Sequence, residues 1–179
     1  MEILFKVDKN SILENVDFDD TTGLELDDSF EDIADYFYKT EVIIPNDIIY
    51  IGDRAFYDKR WLKAVTIPST VVSIGNEAFT DCNFLTTVTL PDSIAVIGKK
   101  AFAWCESLAS IIIPANVTRI EEMTFYSCSS LESITIINDK VDIADDAFTF
   151  CNKNLIFRAK KDSSAEKYAT DNSYMFIPL

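Results

Sequence analysis

Apolar and polar positions along this chain recur every 23 residues, and inside each period a short stretch alternates with period two. Leu62, Leu85, Leu108 and Leu131 each open a segment of the form L-x-x-V-x-I. Val65 and Ile67, Val88 and Leu90, Ile111 and Ile113, and Ile134 and Ile136 complete these segments. Such alternation predicts a half-buried strand with the named residues inward. Pro68, Pro91 and Pro114 follow, in register with Pro45, and their missing N–H ends each strand. Val71, Ile94 and Val117 then return to the core, as do Ile51, Ile74, Ile97, Ile120 and Ile143. Gly52, Gly75 and Gly98 come next, where a positive φ or a tight bend is expected. Two further ladders complete the period. Phe56, Phe79, Phe102, Phe125 and Phe148 have Ala55, Ala78, Ala101 and Ala147 beside them, which leaves room for offset stacking of the rings. Cys82, Cys105, Cys128 and Cys151 form the other.

A fixed period of this length marks a leucine-rich-repeat solenoid, in which each repeat is one coil. The predicted fold is β-rich, with short parallel strands, one per coil, joined by loops and short helical turns. Departures gather toward the C-terminal end: Glu121 and Ala144 replace Gly, Thr124 replaces Ala, and Ile137 replaces Pro, while Lys59 takes the first Cys slot. Residues 24–38 match 42–56 at a shift of 18 and read as a shortened first coil. Their apolar spacing also fits a helix capped by Ser29 and Asp32. Ahead of them, Ile3–Val7 and Ser11–Val16 flank Asp8-Lys9-Asn10 as a hairpin. At the other end, Phe157 lies 23 residues after Ile134 and continues the strand register. Ser163-Ser164-Ala165-Glu166 is a capping box opening a short helix, and Phe176-Ile177-Pro178-Leu179 reads as a final strand. The expected organisation is an acidic cap over residues 1–41, the repeats over 42–157 and a helix-strand cap over 158–179, all in one structural domain. Caps are needed because an open end exposes core and strand edges.

Composition narrows the function classes. The 179 residues are 48% hydrophobic and 26% charged, which excludes global disorder. The net charge is −14, and twelve acids against Lys6, Lys9 and Lys39 put −9 of it in residues 1–40. Phosphate backbones and anionic membranes repel such a chain, so no nucleic acid partner is expected. No stretch approaches the length of a membrane span, so no membrane insertion is expected either. The start, Met1-Glu2-Ile3-Leu4-Phe5-Lys6-Val7-Asp8, has no basic lead into an apolar run. The chain is therefore expected to be cytoplasmic or a trimmed surface domain. The four Cys occupy one slot in successive coils. Their Cβ atoms would lie roughly 4.8 Å apart, beyond the usual disulfide separation of about 3.8 Å. Buried, reduced thiols are expected.

The coil Ile67-Pro68-Ser69-Thr70-Val71-Val72-Ser73-Ile74-Gly75-Asn76-Glu77-Ala78-Phe79-Thr80-Asp81-Cys82 resembles the BspA-like leucine-rich repeat, whose pattern is roughly IPxxVxxIGxxAFxxCxxLxxV. The resemblance covers about residues 42–157. It implies a solenoid, no catalytic residues, and a role such as adhesion to host or matrix proteins at a bacterial surface.

Candidate chemistry is sparse. The chain has no His, which removes the commonest general base and metal ligand. It has no Gly-rich phosphate loop and no GxSxG nucleophile, and its thiols have no neighbouring base, so no enzyme activity and no cofactor are expected. The run Asp17-Phe18-Asp19-Asp20-Thr21-Thr22-Gly23 sets carboxylates at alternate positions before a Gly, which suits a hard cation such as calcium. It departs from the EF-hand loop in the place of its Gly and in lacking a closing Glu, and it reads as a solvated acidic loop. What remains is binding of a protein partner. Outward strand positions form two columns, Ile43, Thr66, Thr89, Ile112 and Thr135 in one, and Glu41, Ala64, Thr87, Ser110 and Ser133 in the other. Tyr57, Trp61 and Phe84, and further on Trp104, Tyr126 and Phe150, occupy variable slots where exposed aromatics would serve as interface anchors. The leading expectation is a non-catalytic protein-binding module, with an acidic immunity-type inhibitor of a basic partner, or a structural spacer, as alternatives.

Overall fold

The computed structural model describes residues 2–7, 12–19 and 40–179. The expected hairpin is there: β1 (Glu2–Val7) pairs antiparallel with β2 (Ile12–Asp19). The degenerate coil or helix anticipated over 24–38 lies outside the described residues. Every L-x-x-V-x-I segment forms a strand of one parallel face. In chain order the strands of coils 1 to 5 are β3 (Thr40–Ile43), β5 (Leu62–Thr66), β7 (Thr87–Thr89), β9 (Ser110–Ile113) and β11 (Ser133–Ile136). The five coils also carry a second, two-residue strand each. These strands are β4 (Tyr50–Ile51), β6 (Ser73–Ile74), β8 (Val96–Ile97), β10 (Arg119–Ile120) and β12 (Asp142–Ile143). Single-strand alternation did not reveal this second face, because two residues are too few to show a period. β2 joins it in parallel, with Leu13 opposite Ile51.

The third side of each coil is a run of turns holding the Phe ladder. The rings of Phe56, Phe79, Phe102, Phe125 and Phe148 stack at 4.7, 5.2, 5.6 and 5.2 Å between centroids and are all buried. Burial of a ring of this size contributes about 1.5–3 kcal/mol. The small Ala at the neighbouring position, or Thr124 with its hydroxyl donating to Glu121 O at 2.8 Å, makes the close stacking possible.

The glycines work differently from the expectation. Neither Gly75 nor Gly98 has a positive φ. A β-carbon on Gly98 would fall 2.6 Å from both Asn76 N and Gly75 C, so glycine here lets the backbones of successive coils touch. Left-handed backbone appears instead at two other positions of the period. One set is Arg54, Glu77, Lys100 and Met123, and the other is Asp58, Asp81, Trp104, Ser127 and Phe150, with φ between 55° and 61°. No glycine marks them, so glycine-based reading missed both corners.

β13 (Ile156–Ala159), α1 (Ser164–Asp171) and β14 (Met175–Pro178) close the C-terminal end, with β14 parallel to β13. Ser163 caps α1 and accepts from Glu166 N at 3.3 Å. The Glu166 carboxylate reaches Asp162 N, one residue before the position a standard capping box uses. Phe157, Tyr168 and Tyr174 cover the end of the Phe stack, with Phe157 edge-on to Phe148 at 5.1 Å.

Candidate functional site

The first strand face presents two straight rows, because pairing in exact 23-residue register sets equivalent residues side by side. Ile43, Thr66 and Thr89 align across β3, β5 and β7, and Ile112, Thr135, Arg158 and Ile177 across β9, β11, β13 and β14. Ile43 and Ile112 are the open apolar members, 73% and 59% exposed. Thr66 and Thr89 are also exposed, whereas Thr135 is half-buried. The sequence columns stopped at Thr135. Arg158 and Ile177 extend the row; the register of Phe157 was the signal that could have found Arg158, whereas Ile177 pairs at a shift of 19 and the period does not reach it.

Several charged side chains on or beside the second face are paired. Lys99 Nζ lies 2.9 Å from Glu122, Arg119 bonds Glu121 at 3.0 Å and also Asp142, and Asn76 N donates to Asp53 Oδ1 at 2.6 Å. The Lys99 ammonium beside Glu122 holds its carboxyl below the usual carboxylate range. Lys99–Glu122 and Arg119–Asp142 pair opposite charges on successive coils, and exposed pairs of this kind add little stability. Val96, at 55% exposure, and Tyr50 are open apolar residues on this face that pattern reading did not single out.

The candidate aromatics separate into two groups. Trp104, Tyr126 and Phe150 form a continuous staircase along the turn side. Trp104 lies 5.0 Å from Tyr126, and Tyr126 lies edge-on to Phe150 at 5.2 Å. Phe150 is 69% exposed, and both Trp104 and Phe150 stand in the left-handed register that Asp58, Asp81 and Ser127 fill elsewhere. Left-handed backbone costs a residue with a β-carbon about 1–2 kcal/mol, and the short polar side chains that best tolerate it are the ones replaced here. Trp61 and Phe84 form the other group, one coil apart at the corner leading into the first strand face. Trp61 is half-buried and packed on the core, so it serves coil packing, whereas Phe84 stays 39% exposed. Tyr57 is covered by Arg54, whose guanidinium sits 4.0 Å over its ring.

The thiols are free, with Cys82, Cys105 and Cys128 buried and Cys151 half-buried. They are more than apolar fillers. Each Sγ donates to a Phe carbonyl 26 residues back, from Cys82 to Phe56 at 3.1 Å through Cys151 to Phe125 at 2.9 Å. In the C-terminal cap the Tyr174 hydroxyl takes the same place, donating to Phe148 O at 3.2 Å. Burial raises the thiol pKa of Cys82, Cys105 and Cys128, which suppresses nucleophilic chemistry. Asp17 and Asp19 belong to β2, and the rest of the acidic run considered for calcium, Asp20 to Gly23, lies outside the described residues. Among the described residues, no group of three or more Cys, Asp or Glu is placed to hold a metal ion, and no helix is long and apolar enough to cross a membrane.

Residues 31–155 match the family described as BspA type leucine rich repeat region, in six copies. Among curated proteins no relative matches the chain. Solved structures do. A leucine-rich repeat protein of T. pallidum is 31% identical over 66% of this chain and 57% of its own, with a TM-score of 0.62. A leucine-rich repeat protein of Bacteroides ovatus is 25% identical over 78% of this chain and 42% of its own, with a TM-score of 0.57. The pneumococcal vaccine antigen PcpA shares the fold at 18% identity, with a TM-score of 0.58, over 78% of this chain and 41% of its own. The chain thus spans roughly half the length of these proteins.

Proposed function

The chain belongs to the BspA-type leucine-rich repeat family, and from that membership we propose that it is a non-catalytic protein-binding module of the adhesion type. Repeats of this kind commonly mediate protein interaction or adhesion, and stacked coils supply the extended surface such contacts use. The observation that carries the reading is the Trp104–Tyr126–Phe150 staircase, in which half-buried Trp104 and Tyr126 lead to an exposed Phe150, with Trp104 and Phe150 on left-handed backbone that favours other residues. The two rows, Thr66 with Thr89 and Ile112 with Thr135, add weakly charged strips of small and β-branched side chains, and Phe84 marks a corner of the first. Aromatic anchors are the residues that dominate protein interfaces.

The test uses the immobilised chain to capture interacting proteins, followed by kinetics on the purified pair. Trp104→Ala and Phe150→Ala should each raise the dissociation rate roughly 30-fold, the equivalent of an anchor worth about 2 kcal/mol. A partner whose dissociation ignores both substitutions would remove the staircase from the binding surface. A second reading, capture of a basic partner by the −9 segment of residues 1–40, is favoured only by that charge. It requires affinity to fall when Asp17, Asp19 and Asp20 become Asn.

A further inference from the structure

Backbone ladder bonds tie successive coils together on all three sides, with one exception, where side chains (Lys99 Nζ to Glu122, Asn116 Nδ2 to Asp92 O) and the Ser107 N to Asn83 O bond still cross. On the second face, Val72 N donates to Ile49 O, Ala95 N to Val72 O and Asp142 N to Thr118 O, but no bond runs from Thr118 to Ala95. Gly52, Gly75, Gly98 and Ala144 each donate one coil back, to Leu13, Ile51, Ile74 and Ile120, yet Glu121 has no matching bond to Ile97. On the first face, Thr86 bonds Lys63 and Glu132 bonds Ala109, but Ala109 does not bond Thr86. Both sheets are accordingly interrupted at one boundary, between β7 and β9 and between β8 and β10. On the turn side the same boundary is intact. Lys100 N, Phe102 N and Trp104 N donate to Glu122, Thr124 and Tyr126 at 2.8–3.1 Å. Phe102 and Phe125, the rings on either side, are the most widely spaced pair of the stack at 5.6 Å.

The cause is local. At this register a β-carbon collides with the backbone of the preceding coil, as Gly98 shows. Coils 4 and 5 both carry a β-carbon there, and they relieve it in opposite ways. Coil 5 keeps the ladder bond from Ala144 to Ile120 and gives up the corner, where Met123 N takes the Asp146 carboxylate instead of a backbone carbonyl. Coil 4 keeps the corner, with Met123 in left-handed backbone, and gives up the ladder.

We infer that the solenoid is hinged between its third and fourth coils, with Glu121 as the wedge and the turn side, clamped by Trp104 on Tyr126, as the pivot. The two halves of the first strand face, bearing Thr66 and Thr89 on one side and Ile112 and Thr135 on the other, change their mutual angle about this pivot. A bound partner spanning both rows meets an adjustable surface.

Residue-resolved hydrogen exchange on the full chain tests the hinge. The amides of Ala109, Thr118 and Glu121 should exchange at least about tenfold faster than their equivalents Thr86, Ala95 and Gly98, because opening here breaks no ladder bond. Equal protection at the three pairs would overturn the hinge. Glu121→Gly should slow exchange at Ala109, Thr118 and residue 121 while leaving Gly98 and Ala144 unchanged. A variant as fast as the parent at all three positions would overturn the assignment of Glu121 as the wedge.

Discussion

At the scale of the residue, the cysteine ladder shows how one side chain meets two demands. Each thiol donates to a carbonyl, Cys82, Cys105 and Cys128 also fill core slots, and at the end of the series the Tyr174 hydroxyl takes the donor's place. Burial keeps Cys82, Cys105 and Cys128 neutral, which makes stability depend on pH. An unfolded thiol ionises near pH 8.5, whereas the folded thiols stay protonated above it. The native state then binds more protons than the unfolded one, so stability is complete below about pH 8.5 and falls as pH rises beyond it. Each neutral thiol costs about 1.4 kcal/mol per pH unit in that window. Urea midpoints measured from pH 8 to 10.5 should fall, and Cys105→Ser, whose hydroxyl can use the same acceptor, should show a shallower decline. Parallel declines in parent and variant would mean that Cys105 ionises normally in the folded chain.

At the scale of the element, the spacing of coils is set by what stands beside the ladder. Glycine at positions 75 and 98 permits backbone contact, and its replacement at 121 and 144 is met by two different rearrangements. Gly98→Ala should therefore destabilise by about 1–3 kcal/mol, the usual range for forced overpacking, because the atoms in the way are backbone and do not yield as a side-chain tip would. Equilibrium urea denaturation reads this directly. A neutral result would show that coils part at little cost wherever a β-carbon appears. Strands of the first face were legible in sequence because their inward residues alternate over five or six positions. The second-face strands were not, since a single buried Ile in two residues, as in Ser73–Ile74, has no period to detect. The left-handed corners were equally hidden, because Asp, Glu, Lys, Ser, Trp and Phe share them and composition carries no trace of φ.

At the scale of the whole molecule, charge and contact surface are separate assets. The −9 of residues 1–40 acts over distance, and salt screens it within about 8 Å at physiological ionic strength. Changing Asp17, Asp19 and Asp20 together to Asn should slow association with a basic partner and flatten its salt dependence, with little effect on dissociation. Stopped-flow association at two salt concentrations would show it. A change confined to the dissociation rate would place those carboxylates inside the interface. The candidate site was partly legible. Thr66 and Thr89 align on one row and Ile112 and Thr135 on another, Trp61 is half-buried against the core, and nothing in the spacing of Trp104, Tyr126 and Phe150 showed that they touch.

The sequence by itself determined the coil, its period, its inward residues and the stacking of the Phe and Cys ladders. A repeat can bury its apolar face only against its neighbours, so identical positions must align. Only the tertiary structure decided how well each coil seats on the next. That depends on contacts between backbones and on diagonal contacts from one register to another, such as Tyr126 reaching both Trp104 and Phe150. A linear pattern records which residues recur, and the interruption at Glu121 arises from where one β-carbon meets the coil before it.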